Sequence, residues 1–586
     1  MRTFTKRTAF APMVRLIASS ALVLLTACDA LAMPLGRAWT PIDTLKVNGH
    51  TYMVPDRFEP PRDGRIELVA RGYYGPLPMP YNHQTYGLVW ADSVWRIRWT
   101  LSEPAYLISP ALTPPDRQML VWKTTTPPVD AYYSFLVTAD VVGDSVTPSD
   151  TIARVSAGAL TYSGTAWGTR RWVAVRDRDF SVLGFPEVLR IFRSDERGHW
   201  CAMGRTGLTG GEGMRISALD ANTVLVLTSE RFAGVHYGVL RDTTFEELAP
   251  QLTTDRTPTL PALARRPGGG YWTGWDAAPD ILPDYSDRIV LQSYRDGVWQ
   301  APDTLQIRWP TQGSYLFYGV ELGSEGSEIP AAAWYGYSYN LADAADYIWT
   351  SFPTDAGFGV GERLEGSWDG MGPSVVRDEN GDVWVAWWRR FDGVFWVHSY
   401  TTAESSTPSV SELASRPLLR WRLTEPASET WWAVLRAEGN GAFARVARLR
   451  ATSDTAMSWA DTSAPSGVSL RYAIRRECRD VRYQWTSGEA TWEPRGPSLA
   501  LAVKGANPSA FVIECEVVGA NIGPLDARLY DLQGREVAHQ FGHASGAGRD
   551  KASVPLSGGL RPGLYLLRVR AADGRLSPSV KIALVR

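Results

Sequence analysis

Between residues 84 and 452, short apolar segments rich in Trp and Tyr alternate with polar turns in one recurring pattern. Each copy has an apolar strand, a polar turn, a second strand, and then a further turn and strand. The clearest copy, residues 373–401, carries Asn380-Gly381 and Asp392-Gly393 between its apolar runs. These dipeptides are favoured at tight β-hairpin turns, so this copy predicts three antiparallel strands.

Six further copies follow the same pattern at intervals of about 45 to 55 residues. They are residues 119–142, 172–200, 216–242, 259–302, 331–352 and 417–450. Strand-forming units at this period are typical of a β-propeller, in which each blade buries one face of its sheet against the next blade. We therefore predict an all-β chain with a six- or seven-bladed propeller over 84–452. The hairpin at 85–101 is expected to supply the outer strand that closes the last blade, and residues 33–83 are expected to be a lead-in.

Two smaller units follow the predicted propeller. Residues 453–496, with Trp459 before a Pro-containing loop, resemble half of a fibronectin type III domain. From 497 to 586 the chain alternates strands and turns, including LDARLYDLQGREVA at 525–538 and GLYLLRVR at 563–570. About seven short strands in roughly 85 residues are the pattern of an Ig-like β-sandwich.

Three segments of this tail resemble a known export signal. They are LYDLQGREV at 529–537, LRPGLYLLRV at 560–569 and SVKIALVR at 579–586, which together resemble the type A sorting domain of the type IX secretion system. The resemblance implies that the sorting motif consists of Tyr530, Asp531, Gly534, Arg535, Pro562, Gly563, Tyr565 and Arg568. It also implies that the secretion machinery is a partner and that the protein is secreted or held at the cell surface.

Residues 1–32 have the pattern of a secretory leader. Four basic residues within 2–15 precede the apolar run at 16–25. That run is shorter than the roughly 20 apolar residues that span a bilayer, so it predicts a signal peptide. Two cleavage sites remain open. The segment ending at Cys28 resembles the lipobox of bacterial lipoproteins, which implies lipidation of that cysteine, whereas Ala30-Leu31-Ala32 fits an ordinary signal peptidase.

Charge and cysteine content narrow the set of partners. The formal net charge of -2 provides no field that would gather nucleic acid, so no nucleic-acid partner is expected and membrane contact is expected only through a lipid on Cys28. The other cysteines are Cys201, Cys478 and Cys515. Their spacing is no disulfide framework, and either a Cys478–Cys515 bridge or two free thiols remains open.

No sequence pattern predicts a catalytic, cofactor or metal site. Residues 378–382 (Asp-Glu-Asn-Gly-Asp) lack the bidentate Glu of a calcium loop and are interpreted as a hairpin turn. Residues 194–200 resemble the aspartate-box turn of sialidase propellers, but the Asp is out of place, so they too are interpreted as a turn. The seven His show no paired metal-ligand spacing, and no cofactor is expected.

Aromatic clusters are the one indication of surface chemistry. Trp387 and Trp388 are adjacent in a predicted strand, so one is expected in the core between blades and the other at the surface. Tyr335, Tyr337 and Tyr339 are expected to share one face of a strand. Such residues bind sugar rings or apolar patches when they are exposed, but ordinary packing between blades is the favoured interpretation of both patterns.

These patterns support two functional hypotheses. The first is an exported, non-enzymatic surface protein that binds a protein or glycan, or acts as a scaffold, through the loops on one face of the propeller. The second is an exported glycoside-type hydrolase with its site at the mouth of the central channel. Three or more carboxylate, His or Arg side chains converging at that mouth would favour the second hypothesis.

Overall fold

A computed structural model gives the fold of the chain. It describes residues 37–45, 52–62, 65–74, 82–102, 106–108, 117–123, 133–147, 150–156, 162–179, 186–205, 213–230, 234–248, 261–266, 269–277, 288–307, 315–323, 328–338, 345–354, 357–389, 393–413, 416–427, 430–452, 454–465, 468–493, 500–507, 512–518, 524–543, 550–555, 561–571, 577 and 579–584. The predicted leader with Cys28, and also Tyr339, lie outside these residues.

Seven antiparallel sheets follow one another along the first two thirds of the chain, and each forms a blade. Blade 1 consists of Tyr52–Arg62, Arg65–Tyr74, Asn82–Ala91 and Val94–Leu101. Blade 2 consists of Tyr106–Ile108, Arg117–Lys123 and Tyr133–Val142, with Ser145–Val146 and Asp150–Ser156 outermost. Blade 3 consists of Tyr162–Trp167, Arg170–Arg178, Glu187–Ser194 and Trp200–Arg205. Blade 4 consists of Gly213–Ala218, Thr223–Glu230, Gly234–Arg241 and Thr244–Leu248.

Three further blades complete the series. Blade 5 consists of Ala262–Arg265, Tyr271–Ala277 and Arg288–Arg295, with Val298–Trp299 and Asp303–Thr304 outermost. Blade 6 consists of Tyr315–Gly323, Ala331–Ser338, Asp346–Ser351 and Glu362–Arg363, and the small hairpin Pro353–Thr354 with Gly357–Phe358 lies before its last strand. Blade 7 consists of Gly370–Arg377, Val383–Arg389 and Gly393–Thr401, and the N-terminal strands Arg37–Trp39 and Asp43–Leu45 pair with its third strand.

The seven blades form a closed ring, which is a β-propeller. The first strand of each blade lies against the first strands of both neighbours, and that of blade 7 lies against that of blade 1. Each pair of neighbouring blades also shares an apolar core. The strand Val383–Arg389 shows how the sequence achieves this arrangement, because Trp384 is buried against blade 1 and Trp387 is buried against blade 6. A strand packed on both faces appears as a continuous apolar run.

The ring begins and ends at different places from those expected. Residues 52–101 form a complete blade, so the hairpin at 85–101 belongs to blade 1 and does not close the last blade. Closure comes from residues 37–45, which lie within the segment expected to be a lead-in. A chain whose first strand completes its last blade leaves no open sheet edge at the seam.

Residues 409–492 form a two-sheet sandwich next to the ring. One sheet contains Ser409–Leu413, Arg416–Arg422 and Ala456–Ala460, and the other contains Ala444–Arg450, Trp431–Glu438, Leu470–Arg476, Trp485–Thr486 and Ala490–Trp492. Trp421, Trp432 and Tyr472 join the two sheets in one buried core. Residues 417–450, expected to be a blade, therefore belong to this sandwich, and the boundary expected at 452 falls inside it.

The tail forms two further sheets. One contains Ala500–Asn507, Val512–Val518 and Asp550–Pro555, and the other contains Glu536–His543, Pro524–Asp531, Gly563–Ala571 and Val580–Leu584. Seven strands are thus present in the described part of the tail. In both the sandwich and the tail, strands one, two and five form one sheet, and strands four, three, six and seven belong to the other. In the sandwich an eighth strand, Ala490–Trp492, also pairs with strand six. No helix among the described residues is long and apolar enough to cross a membrane.

A polar joint connects blade 7 to the sandwich. The Arg448 guanidinium donates to the carbonyl oxygen of Glu379 and to the side chain of Asn380 at 2.7 Å. Asp480, which caps the short 3₁₀ helix Val481–Tyr483, lies 3.5 Å from the buried ring of His398. His398 and Asp480 are buried, so their contact is shielded from water and helps to hold the sandwich against blade 7.

Candidate functional site

The direction of the strands defines two ends of the ring. In every blade the first strand begins, the second ends and the third begins at the same end, because the strands are antiparallel. We call this end the upper face. The polar joint with the sandwich lies at the opposite end, where Gly370–Arg377 ends and Val383–Arg389 begins. The upper face is therefore the free face of blade 7.

Two contacts cross the axis of the ring. Arg215 on the first strand of blade 4 donates to Glu321 on the first strand of blade 6 at 2.7 Å. Near the lower ends of the first strands, the Arg265 guanidinium of blade 5 lies 5.1 Å from the ring centre of Trp167 in blade 3. Each pair joins blades that are not neighbours, so both contacts pass across the central channel.

Trp368 is the most exposed large aromatic side chain on the described part of this face. It lies in the turn before blade 7, and 53% of it is exposed. The Arg389 guanidinium holds the indole from one side, since its Cζ lies 4.5 Å from the Trp368 ring centre and 4.4 Å from that of Phe395. Arg389 also donates to the carbonyl oxygen of Gly366 in the same turn, at 3.3 Å. The indole is thus fixed in place and still accessible.

Two carboxylates, one of them next to Trp368 in sequence, belong to the same region. Asp369 follows Trp368 directly and has a φ of 59°, a conformation that is uncommon for a residue with a side chain. Asp346 begins the third strand of blade 6. Burial raises the pKa of Asp346, and the charge of Asp369 raises it further. The two carboxylates are therefore close enough for their charges to interact.

Tyr335 completes the cluster. It lies on the second strand of blade 6, and its side chain faces blade 7 on the same side as Asp346. Burial raises the pKa of its phenol, and the negative charges of Asp346 and Asp276 add to the effect. We call Tyr335, Asp346, Trp368, Asp369 and Arg389 the face site. It combines an accessible aromatic ring with hydrogen-bond acceptors and a phenolic hydroxyl group, which suits a polyhydroxylated ligand.

The structure places the other aromatic candidates as follows. Trp387 is buried between blades 6 and 7, whereas its neighbour Trp388 is partly exposed. Tyr335 and Tyr337 lie on one face of their strand, as the alternation predicts. Tyr337 is paired directly opposite Asp346, and Tyr335 packs against the core between blades 6 and 7. Trp387 takes part in blade packing.

No known protein family matches the chain, and no curated protein is similar to it in sequence. Among solved structures, it is similar to an α-L-arabinanase of Penicillium chrysogenum complexed with arabinobiose, with a TM-score of 0.37 and 13% identity over 62% of this chain and 99% of that chain. A protein of unknown function from Dyadobacter fermentans gives a TM-score of 0.34 and 11% identity over 63% and 100% of the two chains. The β-propeller domain of the Trilobed protease from Pyrococcus furiosus gives 0.31 and 10% over 54% and 94%.

Three hairpins share one five-residue turn, Asp-x-x-Gly-x, at residues 195–199, 378–382 and 531–535. In each turn one carboxylate oxygen of the Asp accepts hydrogen bonds of 2.8–3.0 Å from backbone N–H groups two and four residues later. The Gly has a positive φ in all three. The first two segments are therefore hairpin turns, as the sequence indicated, and the third is the turn of the expected sorting motif.

The two halves of that motif lie on neighbouring strands. Asp531 is directly opposite Tyr565, and Tyr530 is opposite Leu566. The Tyr565 hydroxyl donates to the carbonyl oxygen of Arg561 at 2.7 Å, just before Pro562 and Gly563. Arg535 donates back to Asp531 at 2.7 Å, closing the turn at Gly534. Arg568 is exposed on the strand that carries Tyr565.

The structure also describes two of the cysteines and the possible metal ligands. Cys478 is a buried free thiol and Cys201 is an exposed one, so the structure shows no bridge at Cys478. No group of three or more His, Cys, Asp or Glu in the described part of the chain is arranged to hold a metal ion.

Sequence reasoning missed Trp368, Asp369, Asp346 and Arg389. A signal was present in Gly366-Ser367-Trp368-Asp369-Gly370, where a Trp lies in a short Gly-flanked turn outside any apolar run. A Trp with no strand partners on either side has few ways to be buried. Asp346 carried no such signal, because its proximity to Asp369 depends on the packing of blade 6 against blade 7.

Proposed function

We propose that the chain is an exported protein whose propeller binds a carbohydrate at the face site. The observation that carries this proposal is the accessible indole of Trp368, held by Arg389 beside two interacting carboxylates. Sugar rings present an apolar face that packs on an indole and hydroxyl groups that donate to carboxylates. The fixed position of the indole lowers the entropy that would be lost on binding.

The test is the substitution Trp368→Ala, with binding to a panel of soluble polysaccharides measured by affinity electrophoresis and calorimetry. We expect the affinity to fall by at least about tenfold, or ~1.4 kcal/mol, because a central aromatic contact is removed. Trp431→Ala is the matched control, since Trp431 forms the same kind of stack with Arg448 at 4.3 Å but lies on the sandwich. Equal binding by both variants and the parent protein would show that the face site is not used.

Glycoside hydrolysis at the same site is the second candidate. A general acid needs a carboxyl group with a raised pKa, and a second carboxylate nearby serves as base or nucleophile. Asp346 has a raised pKa and Asp369 lies near it, which supports these roles. If this candidate is correct, the protein releases reducing sugar from the polysaccharide that it binds, and Asp346→Asn abolishes release while binding remains. Binding without release by the parent protein excludes the candidate.

Export through the tail is part of the proposal. The adjacent positions of Asp531 and Tyr565 support a single recognition element built from both halves of the expected motif. The strand order of the tail, with Tyr565 bonded to the backbone four residues upstream, also supports an Ig-like sandwich. The same strand order in residues 409–492 supports a fibronectin type III-like unit.

Two experiments in the native host test the export proposal. Removal of residues 497–586 is expected to leave the protein in the periplasm, and normal arrival at the cell surface would contradict the sorting role. Mass spectrometry of the mature protein is expected to show either an acylated Cys28 or an N-terminus after Ala32. A full-length product in the cytosol would overturn the leader assignment.

A further inference from the structure

A second concave site lies where the ring closes. It is a groove of about 780 Å³ between the outermost strand of blade 7 and the outer hairpin of blade 1. Residues 43–45 form one wall, residues 93–97 form the other, and Leu88, Trp90 and Trp396 lie between them. We call it the seam groove. Its volume falls in the range of about 300 to 1,000 Å³ that is usual for small-molecule sites.

Aromatic rings form the inner surface of this groove. Trp90 and Trp396 are almost fully buried, and their ring centres are 4.7 Å apart. Trp95 is only partly buried and packs edge-on against both, with ring centres at 5.4 and 5.8 Å. Because its position is fixed by these neighbours, Trp95 offers a rigid, partly accessible ring at the surface of the groove.

The rim of the groove carries both apolar and charged side chains, since Val94 and Ile97 are exposed beside the charged groups. Asp43 and Thr44 are exposed on one wall, and Arg96 is exposed on the other. Arg96 is paired with Asp92 at 2.9 Å. Arg482 of the sandwich approaches Trp90, with 5.9 Å from its Cζ to the ring centre, and its pKa is raised chiefly by Asp480 and to a lesser extent by Asp43.

The aromatic inner surface and the paired charges at the rim disfavour the binding of charged ligands and of ligands that are apolar on every side. Among the described residues at the groove, Arg96 and Arg482 already have carboxylate partners, so neither offers an unpaired positive charge with which to hold an anion. An apolar segment would cover the Asp43 carboxylate without offering it a hydrogen bond, which is unfavourable. A neutral ligand with one apolar face and several hydroxyl groups meets both the indole and the rim.

We propose that the seam groove is a carbohydrate-binding site for neutral oligosaccharides. Binding at this site depends on Trp95, Asp43 and Arg96. The proposal is independent of the face site, because the two sites share no residue. A sugar bound there contacts both the N-terminal strand of the ring and blade 1. Ligand binding at this position therefore stabilises the closed ring against unfolding.

The test uses the full chain with neutral hexasaccharides of glucose, xylose and mannose. We expect at least one of them at saturation to slow hydrogen exchange in residues 88–97 and to raise Tm by roughly 3 °C. Trp95→Ala should abolish both effects. Trp368→Ala, which removes the ring of the face site, should leave both effects intact, so the failure of one site is distinguishable from the failure of the other.

Arg96→Ala provides a second variant that does not depend on the aromatic core, because the Arg96 side chain is exposed and is paired with Asp92. It should weaken the protection of residues 88–97 several-fold while the protein remains folded. No protection by any hexasaccharide, or equal protection in Trp95→Ala, overturns the proposal. Protection by an extended peptide of alternating Val and Thr residues, but not by the sugars, also overturns it in favour of a protein partner.

Discussion

Asp382 makes the stability of the ring depend on pH near neutrality. It directly precedes the second strand of blade 7, close to the polar joint, and its side chain is buried. Burial raises its pKa to about 7, and the neighbouring Asp378 adds to the rise, whereas Arg37 and His398 oppose it. Its only ion-pair contact in the described part of the chain is Arg37, at 3.4 Å.

The direction of the pH dependence follows from the difference in proton binding between the folded and the unfolded chain. Between the ordinary value of 3.8 and about 7, folded Asp382 keeps a proton that the unfolded chain has released. Stability therefore falls as pH rises through this window and is constant above it. The difference between the two pKa values corresponds to about 4 kcal/mol. Asp382→Asn imitates the protonated side chain, so the variant should lose this pH dependence and exceed the parent protein in stability at pH 8 by up to about 4 kcal/mol.

The assay is denaturant unfolding of the full chain, followed by tryptophan fluorescence, at pH values from 4.5 to 8. Most of the buried Trp lie in the ring, so the main transition reports on it. Asp195→Asn is the control, since Asp195 caps an exposed turn and hydrogen bonds lower its pKa. If the parent protein is equally stable at pH 5 and pH 8, or if Asp382→Asn is destabilised at both, the reasoning is wrong.

Three further predictions follow from the packing. Trp384→Ala should destabilise the ring by about 3–5 kcal/mol in the same denaturation assay, because this fully buried indole joins blades 7 and 1; a loss below 1 kcal/mol would contradict the closed seam. Removal of residues 37–45 should destabilise the ring by about 5 kcal/mol or more, through loss of the strand pairing and of buried Leu45, and should increase hydrogen exchange in residues 393–401 specifically. Tyr565→Phe should lower the stability of the tail by about 1 kcal/mol, because the hydroxyl contact with Arg561 is lost; unchanged thermal unfolding of the tail would count against that contact.

The sequence predicted an all-β propeller, but it did not predict where the propeller begins and ends. Blade 7 was recognised because Asn380-Gly381 specifies a tight turn between two apolar runs. The first strand of blade 1, Tyr52–Arg62, was missed because it contains Pro55, Pro60 and Pro61. Proline is tolerated there because the innermost strand of a blade is the edge of its sheet and has a hydrogen-bonding partner on only one side.

The sandwich was misassigned for a different reason. Its strands have the same apolar pattern and turns as a blade, and only long-range pairing distinguishes the two. Trp432 pairs with Arg476 across an intervening hairpin, which no local pattern specifies. The face site was missed on similar grounds, since Asp346 and Asp369 belong to different blades and meet only when the blades pack.

Closure by residues 37–45 has a consequence for the order of folding if the chain is exported as proposed. A chain that leaves the cytoplasm N-terminus first delivers these two strands before any blade, yet their partner strand, residues 393–401, arrives about 350 residues later. Until then the early strands have nothing to pair with, and the ring cannot close on a partial chain. If Cys28 carries a lipid, at most about 30 Å of extended chain separates it from Arg37. The outer edge of blade 7 would then be assembled close to the membrane, within reach of that short tether.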